Sequence, residues 1–177
     1  MRLFIAIEIP EEIKEYILAV QKQLDGNSSK LKPVGKEQMH LTLKFLGEVQ
    51  PDKTKEIIAA LKQIKFRKFS FNLDSIGTFP NEENIRVVWI GLKPEDEIIS
   101  LQKDIDSKLE KLFKKEKNFK PHITLFRVKY IENKNTFIEK IKNTNIENKK
   151  INVNNFKMIK STLTRQGPIY EELEIFS

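Results

Sequence analysis

The two histidines of this 177-residue chain, His40 and His122, lie 82 positions apart, and each opens the same tetrad, H-x-T-L. With average residue usage, the chance that both are followed by Thr and Leu at these offsets is roughly 10⁻⁵ to 10⁻⁴. In a strand, side chains two apart share a face, so His40 and Thr42 point together while Leu41 and Leu43 point into the layer behind; His122 and Thr124 stand in the same relation to Ile123 and Leu125. Each tetrad presents an imidazole and a hydroxyl above an apolar support. Two imidazoles facing one small site can divide proton transfer, one taking a proton from a nucleophile while the other gives one to a leaving oxygen, and both titrate in the useful range. Hydroxyl and guanidinium donors beside such a pair suit a phosphate, whose nonbridging oxygens gain charge during transfer. Thr42 and Thr124 are the nearest candidates. Read singly, each histidine is also what a hydrogen-bonded imidazole on a sheet would be, and each threonine what a β-branched strand residue would be; the repetition favours chemistry.

Composition removes other chemistries. There is no cysteine, hence no disulfide, thiol nucleophile, iron–sulfur cluster or thiolate zinc site, and two histidines cannot supply a three-histidine metal centre. No metal or cofactor is expected. Hydrophobic residues at 39%, charged residues at 32%, and only 6 Gly and 7 Pro describe an ordinary folded domain rather than a low-complexity or disordered chain. The formal charge of +7 favours polyanionic partners. Lys30, Lys32 and Lys36 precede the first tetrad and Lys114, Lys115, Lys117 and Lys120 the second, so a phosphate backbone arriving from either side would meet nonspecific, salt-sensitive attraction. The opening MRLFIAIEIP lacks a cleavage pattern, and no stretch approaches 18 uninterrupted apolar residues, so neither a signal peptide nor a membrane span is expected. Cytoplasm is the default address.

The elements that must carry the tetrads follow from periodicity. Leu3, Ile5 and Ile7 alternate in an early strand, and Pro10, Glu11 and Glu12 open a helix whose Ile13, Tyr16, Ile17, Val20 and Leu24 form one stripe ending near Gly26. Residues 27–37 read as a loop into the strand around MHLTLKFLG. Pro51 and Asp52 begin a second helix. Alternation from Phe69 to Asp74 predicts a strand, followed through FPNEEN by a partner strand at VVWIGL. Ile98, Leu101, Ile105, Leu109 and Leu112 predict a helix over about 95–114, after which Pro121 leads into a strand at His122–Val128. Phe137, Ile138 and Ile141 suggest a shorter helix, and 151–161 with 168–176 a final strand pair joined by T-R-Q-G-P. The order divides near residue 92 into two similar halves, as an ancient duplication would leave it. The expectation is a single α+β domain over 1–177 with two pseudo-symmetric lobes, antiparallel sheets facing one another across a central groove and helices on the outer faces. No glycine-rich phosphate loop follows any strand.

The segments RLFIAIEIP (2–10), HLTLKFLGEV (40–49), IGTFPNEENIRVVWIGL (76–92), FKPHITLFRVK (119–129) and STLTRQGPIYEEL (161–173) together resemble the LigT-like RNA 2′,3′-cyclic phosphodiesterases, the 2′–5′ RNA ligase family of the two-histidine phosphoesterases. The resemblance spans nearly the whole chain. It implies a bilobal duplicated fold with both histidines lining the groove and metal-independent hydrolysis of an RNA terminal 2′,3′-cyclic phosphate to a 2′-phosphate. Mapped onto this sequence it makes His40 the general acid and His122 the base, with Thr42, Thr124 and Arg127 holding phosphate. Arg127 lies five residues after His122, on the wrong face of an ideal strand, so a bulge, strong twist or long reach must bring it round. Phe4, Phe45, Phe126 and Tyr170 are candidates to stack on a terminal base, each also a plausible core residue. The loop LKPVGKEQ before the first tetrad lacks the tryptophan usual in relatives.

Two other readings remain at this level: reversible 2′–5′ RNA joining by the same pair, and a non-catalytic RNA- or nucleotide-binding domain using the basic surface. Product analysis separates the first, and salt-dependent binding without terminal-phosphate conversion would mark the second. A monomer is expected.

Overall fold

The computed structural model describes residues 1–26 and 29–177. In chain order the elements are β1 (Arg2–Glu8), α1 (Glu11–Leu24), β2 (Lys30–Pro33), a 3-10 turn at Lys36–Gln38, β3 (His40–Glu48), α2 (Pro51–Leu61), β4 (Phe69–Pro80), β5 (Ile85–Lys93), α3 (Asp96–Leu109), β6 (His122–Tyr130), α4 (Lys134–Asn143), β7 (Lys150–Val153), β8 (Phe156–Thr164) and β9 (Gly167–Phe176).

Local chemistry accounts for most of these boundaries. Glu11 and Glu12 occupy the first turn of α1, where they complement the helix dipole, and Pro51 begins α2, where its missing N–H costs nothing. Asn133 caps α4 by accepting from the Thr136 N–H at 3.1 Å. Between β4 and β5, the Asn81 side chain accepts from the N–H groups of Glu83 and Asn84, which turns the chain. The third helix stops at Leu109, short of the expected 114. The N–H groups of Leu112 and Phe113 both return to the Leu109 carbonyl at 2.9 Å, and the lysine-rich run beyond has no apolar stripe to bury.

Two further expectations are corrected. The stretch read as a loop over 27–37 contains β2, which pairs with β6, and the 3-10 turn; Asn27 and Ser28 lie outside the described residues. The strand read over 151–161 is two strands. β7 pairs with β4 and β8 pairs with β1, so the chain crosses from one side of the molecule to the other at Asn154 and Asn155. Alternation alone cannot show such a crossing, because both pieces bury one face.

The strands form one curled antiparallel sheet in the order β7-β4-β5-β6-β3-β1-β8-β9, with β2 against β6. The two sheets expected to face each other are thus continuous, joined where β3 meets β6 at the pair Leu41↔Ile123. The hairpin β4–β5 from the first half of the chain lies beside β6, whereas β8–β9 from the second half lies beside β1. Likewise α1 packs against β6 and α3 against β3. Each side of the sheet is therefore built from both halves of the sequence.

One face of the sheet is sealed by the helices. Ile13, Ile17, Val20 and Leu24 of α1 and Ile98, Leu101, Ile105 and Leu109 of α3 join Leu3, Ile5, Ile7, Leu41, Leu43, Ile123 and Leu125 in the core. Each fully buried aliphatic side chain there contributes about 1.5–3 kcal/mol relative to exposure. On the opposite face Phe4, Ala6 and Ile159 make a small separate cluster with Tyr170. That face carries the imidazoles.

Candidate active site

A groove of about 640 Å³ runs across this second face and is lined by His40, Thr42, His122, Thr124 and Arg127. Its position follows from the sheet. Antiparallel pairing at Leu41↔Ile123 sets the residues on either side of that pair next to one another, His40 beside Thr124 and Thr42 beside His122. The two tetrads, far apart in sequence, cross at their second residues. A smaller hollow of about 210 Å³ between Ile7–Lys14 and Asn152–Lys157 holds neither imidazole.

Both strands then bulge at the same place. In β3, Ala6 pairs with Thr42 and Ile5 with Lys44, skipping Leu43; in β6, Trp89 pairs with Thr124 and Val88 with Phe126, skipping Leu125. An extra residue reverses the facing of everything after it. Arg127 is thereby turned to the groove, as its spacing from His122 required, and Phe45 holds the matching position after His40. The same bulge removes Phe126 from the candidate contacts. It is 0% exposed, buried in the core on the helix side, so no base can stack on it.

The other aromatic candidates do reach the groove. Phe4 packs 4.7 Å from the His40 ring and Tyr170 meets that ring edge-on at 5.3 Å, while Phe45 is 64% exposed at the rim. The opposite wall has its own aromatics, which sequence reading missed. Phe79 lies edge-on to His122 at 4.9 Å and Trp89 stands 6.0 Å away; Phe119 also lines the groove. Nothing in the local pattern of β4 marks Phe79, because β5 lies between it and β6. Arg2, two residues before Phe4 on the same face of β1, lines the groove as well.

Of the seven lysines expected to flank the groove, Lys32 alone lines it. Lys36 is held by Glu11 and Glu15, Lys115 by Glu110 and Lys120 by Glu95, so their charges are already matched. Lys32 pairs directly with Arg127 across β2 and β6. Like charges opposite one another in a sheet repel, a cost that an anion between them would relieve.

The imidazoles differ in environment. Burial pushes His122 below its ordinary 6.5, against the pull of the Lys120 carbonyl, which lies 2.7 Å from Nδ1. In the neutral ring that bond puts the proton on Nδ1 and leaves the Nε2 lone pair free. Burial acts more strongly on His40 and brings it to about 4, with repulsion from His122 and Lys14 adding to the effect. The Gln38 carbonyl nearby pulls the other way, although it falls short of hydrogen-bond geometry: buried Nδ1 of His40 has no partner among the described residues. Tyr170 is raised by burial, with Arg127 and Arg2 opposing. Among the described residues no group of three His, Asp or Glu side chains is arranged to hold a metal ion, and no helix is long and apolar enough to cross a membrane.

Paired imidazoles and hydroxyls on a curled sheet, with guanidinium groups on the rim, define a protein built to work on a phosphoryl group. The particular family is shown by comparison. The model of the LigT-like phosphoesterases matches twice, at residues 7–89 and 90–170, and the chain belongs to that family. It is 44% identical over 176 residues, 98% of this chain and 99% of the relative, to the RNA 2′,3′-cyclic phosphodiesterase of Methanocaldococcus jannaschii. It is 38% identical to the enzyme of the same name from Archaeoglobus fulgidus, covering 99% of both chains. The crystal structure of Escherichia coli LigT complexed with 3′-AMP superposes with a TM-score of 0.80 at 30% identity, over 99% of this chain and 96% of that one.

Proposed function

We propose that this protein is an RNA 2′,3′-cyclic phosphodiesterase that opens a terminal cyclic phosphate to a 2′-phosphate, acting as a single two-lobed domain, monomeric and cytoplasmic. The observation that carries the reading is the Leu41↔Ile123 pair, which brings both His-x-Thr units to one groove. His122, with its Nδ1 proton held by Lys120, has Nε2 free to accept a proton from water. The water oxygen attacks phosphorus, the bond from phosphorus to O3′ breaks, and His40 gives O3′ its proton. Thr42, Thr124 and Arg127 hold the nonbridging oxygens, where charge grows. A bound phosphate anion favours the charged imidazolium and lifts His40 from its low value in the free protein. Phe4, Phe45 and Tyr170 form the side on which a terminal base would rest.

The test is product-resolved incubation with an RNA ending in a 2′,3′-cyclic phosphate. A 2′-phosphate product is expected, unaffected by chelator and reduced by about 10²–10⁴ in His40→Ala and His122→Ala. A longer 2′–5′-linked product would indicate joining instead, and binding without conversion would indicate a non-catalytic RNA-binding domain.

A further inference from the structure

Behind the groove lies a buried ion pair for which the acid–base reading has no use. Lys44, its side chain 1% exposed, places Nζ 2.5 Å from Oδ1 of Asp106 and 2.7 Å from the Lys114 carbonyl. The other oxygen of Asp106 accepts from Nε2 of Gln102 and from the Glu116 N–H, each at 2.9 Å. Burial alone would raise the Asp106 carboxyl, yet these donors hold it below its ordinary value.

The network joins two parts of the site. Lys44 is two residues past Thr42, at the bulge of β3. The connector between α3 and β6 supplies the Lys114 carbonyl and the Glu116 N–H, contributes Glu116, Asn118 and Phe119 to the groove, and includes Lys120, whose carbonyl holds His122. The other strand has a counterpart. Gln21 of α1, also buried, donates through Nε2 to the Leu125 carbonyl at 2.8 Å and the Val34 carbonyl at 3.0 Å, which ties down the bulge of β6. Gln21 and Asp106 each stand ten residues after the first residue of a fourteen-residue helix. A well-packed apolar pair in place of a buried ion pair is often at least as stable, so stability by itself is a weak reason for Lys44 and Asp106 to be here.

We propose that Lys44 and Asp106 are positioning residues, whose ion pair sets the bulge of β3 and the α3–β6 connector against each other and so fixes His40 and Thr42 relative to His122. The inference rests on the groove being the reaction site and deepens that reading. It is tested with the double variant Lys44→Met/Asp106→Leu, and with Lys44→Gln/Asp106→Asn should the first not fold. Because the chain has two histidines, NMR titration follows two ring signals, each assigned by loss in the matching His→Ala variant.

In a double variant that melts like the wild type, the titration midpoint of at least one histidine is expected to move by about half a unit or more. On 2′,3′-cyclic AMP, kcat is expected to fall about tenfold to a hundredfold, the scale of a small misplacement of reacting groups. Unmoved titrations in such a variant overturn the proposal. If the wild type leaves cyclic phosphate intact, the functional reading fails, and the titrations still decide on positioning.

Discussion

Leu41 of β3 and Ile123 of β6 face each other at the pairing that joins the two sides of the sheet, and each is the residue between a histidine and a threonine. Their side chains are in the core at 0% exposure, which sends the flanking imidazoles and hydroxyls to the opposite face. The placement of the groove is thus a consequence of core packing.

The pH dependence of the reaction follows from the two imidazoles. In the free protein His40 sits at about 4 and His122 below 6.5, so the state with one proton on the pair is most populated between those values. It is this free-state titration that kcat/KM reports. For 2′,3′-cyclic AMP it is expected to peak on the acid side of neutrality and decline above it. A profile that rises through about pH 8 would show that other groups govern the limbs.

Stability should carry the mark of His40. Its folded value is lowered to about 4 from 6.5, so the unfolded chain binds more protons in that window and stability falls as pH drops from 6.5 toward 4. The full loss is about 3 kcal/mol. Calorimetry of His40→Gln against wild type isolates the contribution: the variant's Tm should fall less steeply over this range. Parallel curves would mean that the ring is solvated.

Gly77 has no room for a side chain. A Cβ there would lie 2.3 Å from the Trp89 indole, which rests across it beside His122. Gly77→Ala is expected to cost about 1–3 kcal/mol through overpacking. It should also shift the fluorescence of the chain's one tryptophan, and an unchanged emission spectrum would count against the close approach.

Phe126 and Arg127 are neighbours on opposite faces of β6, and the bulge decides which of them meets the groove. Phe126→Ala should destabilise by about 3–5 kcal/mol, as truncation of a buried aromatic does, while the folded enzyme keeps its KM. Arg127→Ala should melt close to wild type and lose about tenfold to a hundredfold in kcat/KM, the scale of one charge-assisted hydrogen bond. Matching losses of stability in the two variants would contradict the reversal of facing.

The histidine tetrads, the core stripes of α1 and α3 and the hairpin turns were legible in the chain because each depends on residues within a few positions: period two for strands, period near 3.6 for helices, Asn or Pro at the turns. Even the need for a bulge before Arg127 could be read from its spacing. The interleaving of the halves could not. β4–β5 lies beside β6 and β8–β9 beside β1, and the stretch read as one strand over 151–161 divides between β4 and β1. Such pairings are settled by which edges the curled sheet leaves open, and they join segments far apart in sequence. The same holds for the lysines. Lys36 and Lys120 look available in the chain but meet glutamates brought from other elements, whereas Lys32 reaches the groove because β2 lies along β6. The sequence by itself determined which groups could do chemistry, since residue type and short-range periodicity are local. Tertiary structure decided which of them meet, how far burial lowers each imidazole, and that a buried Lys44–Asp106 pair stands behind them, because distance and desolvation belong to the folded sheet.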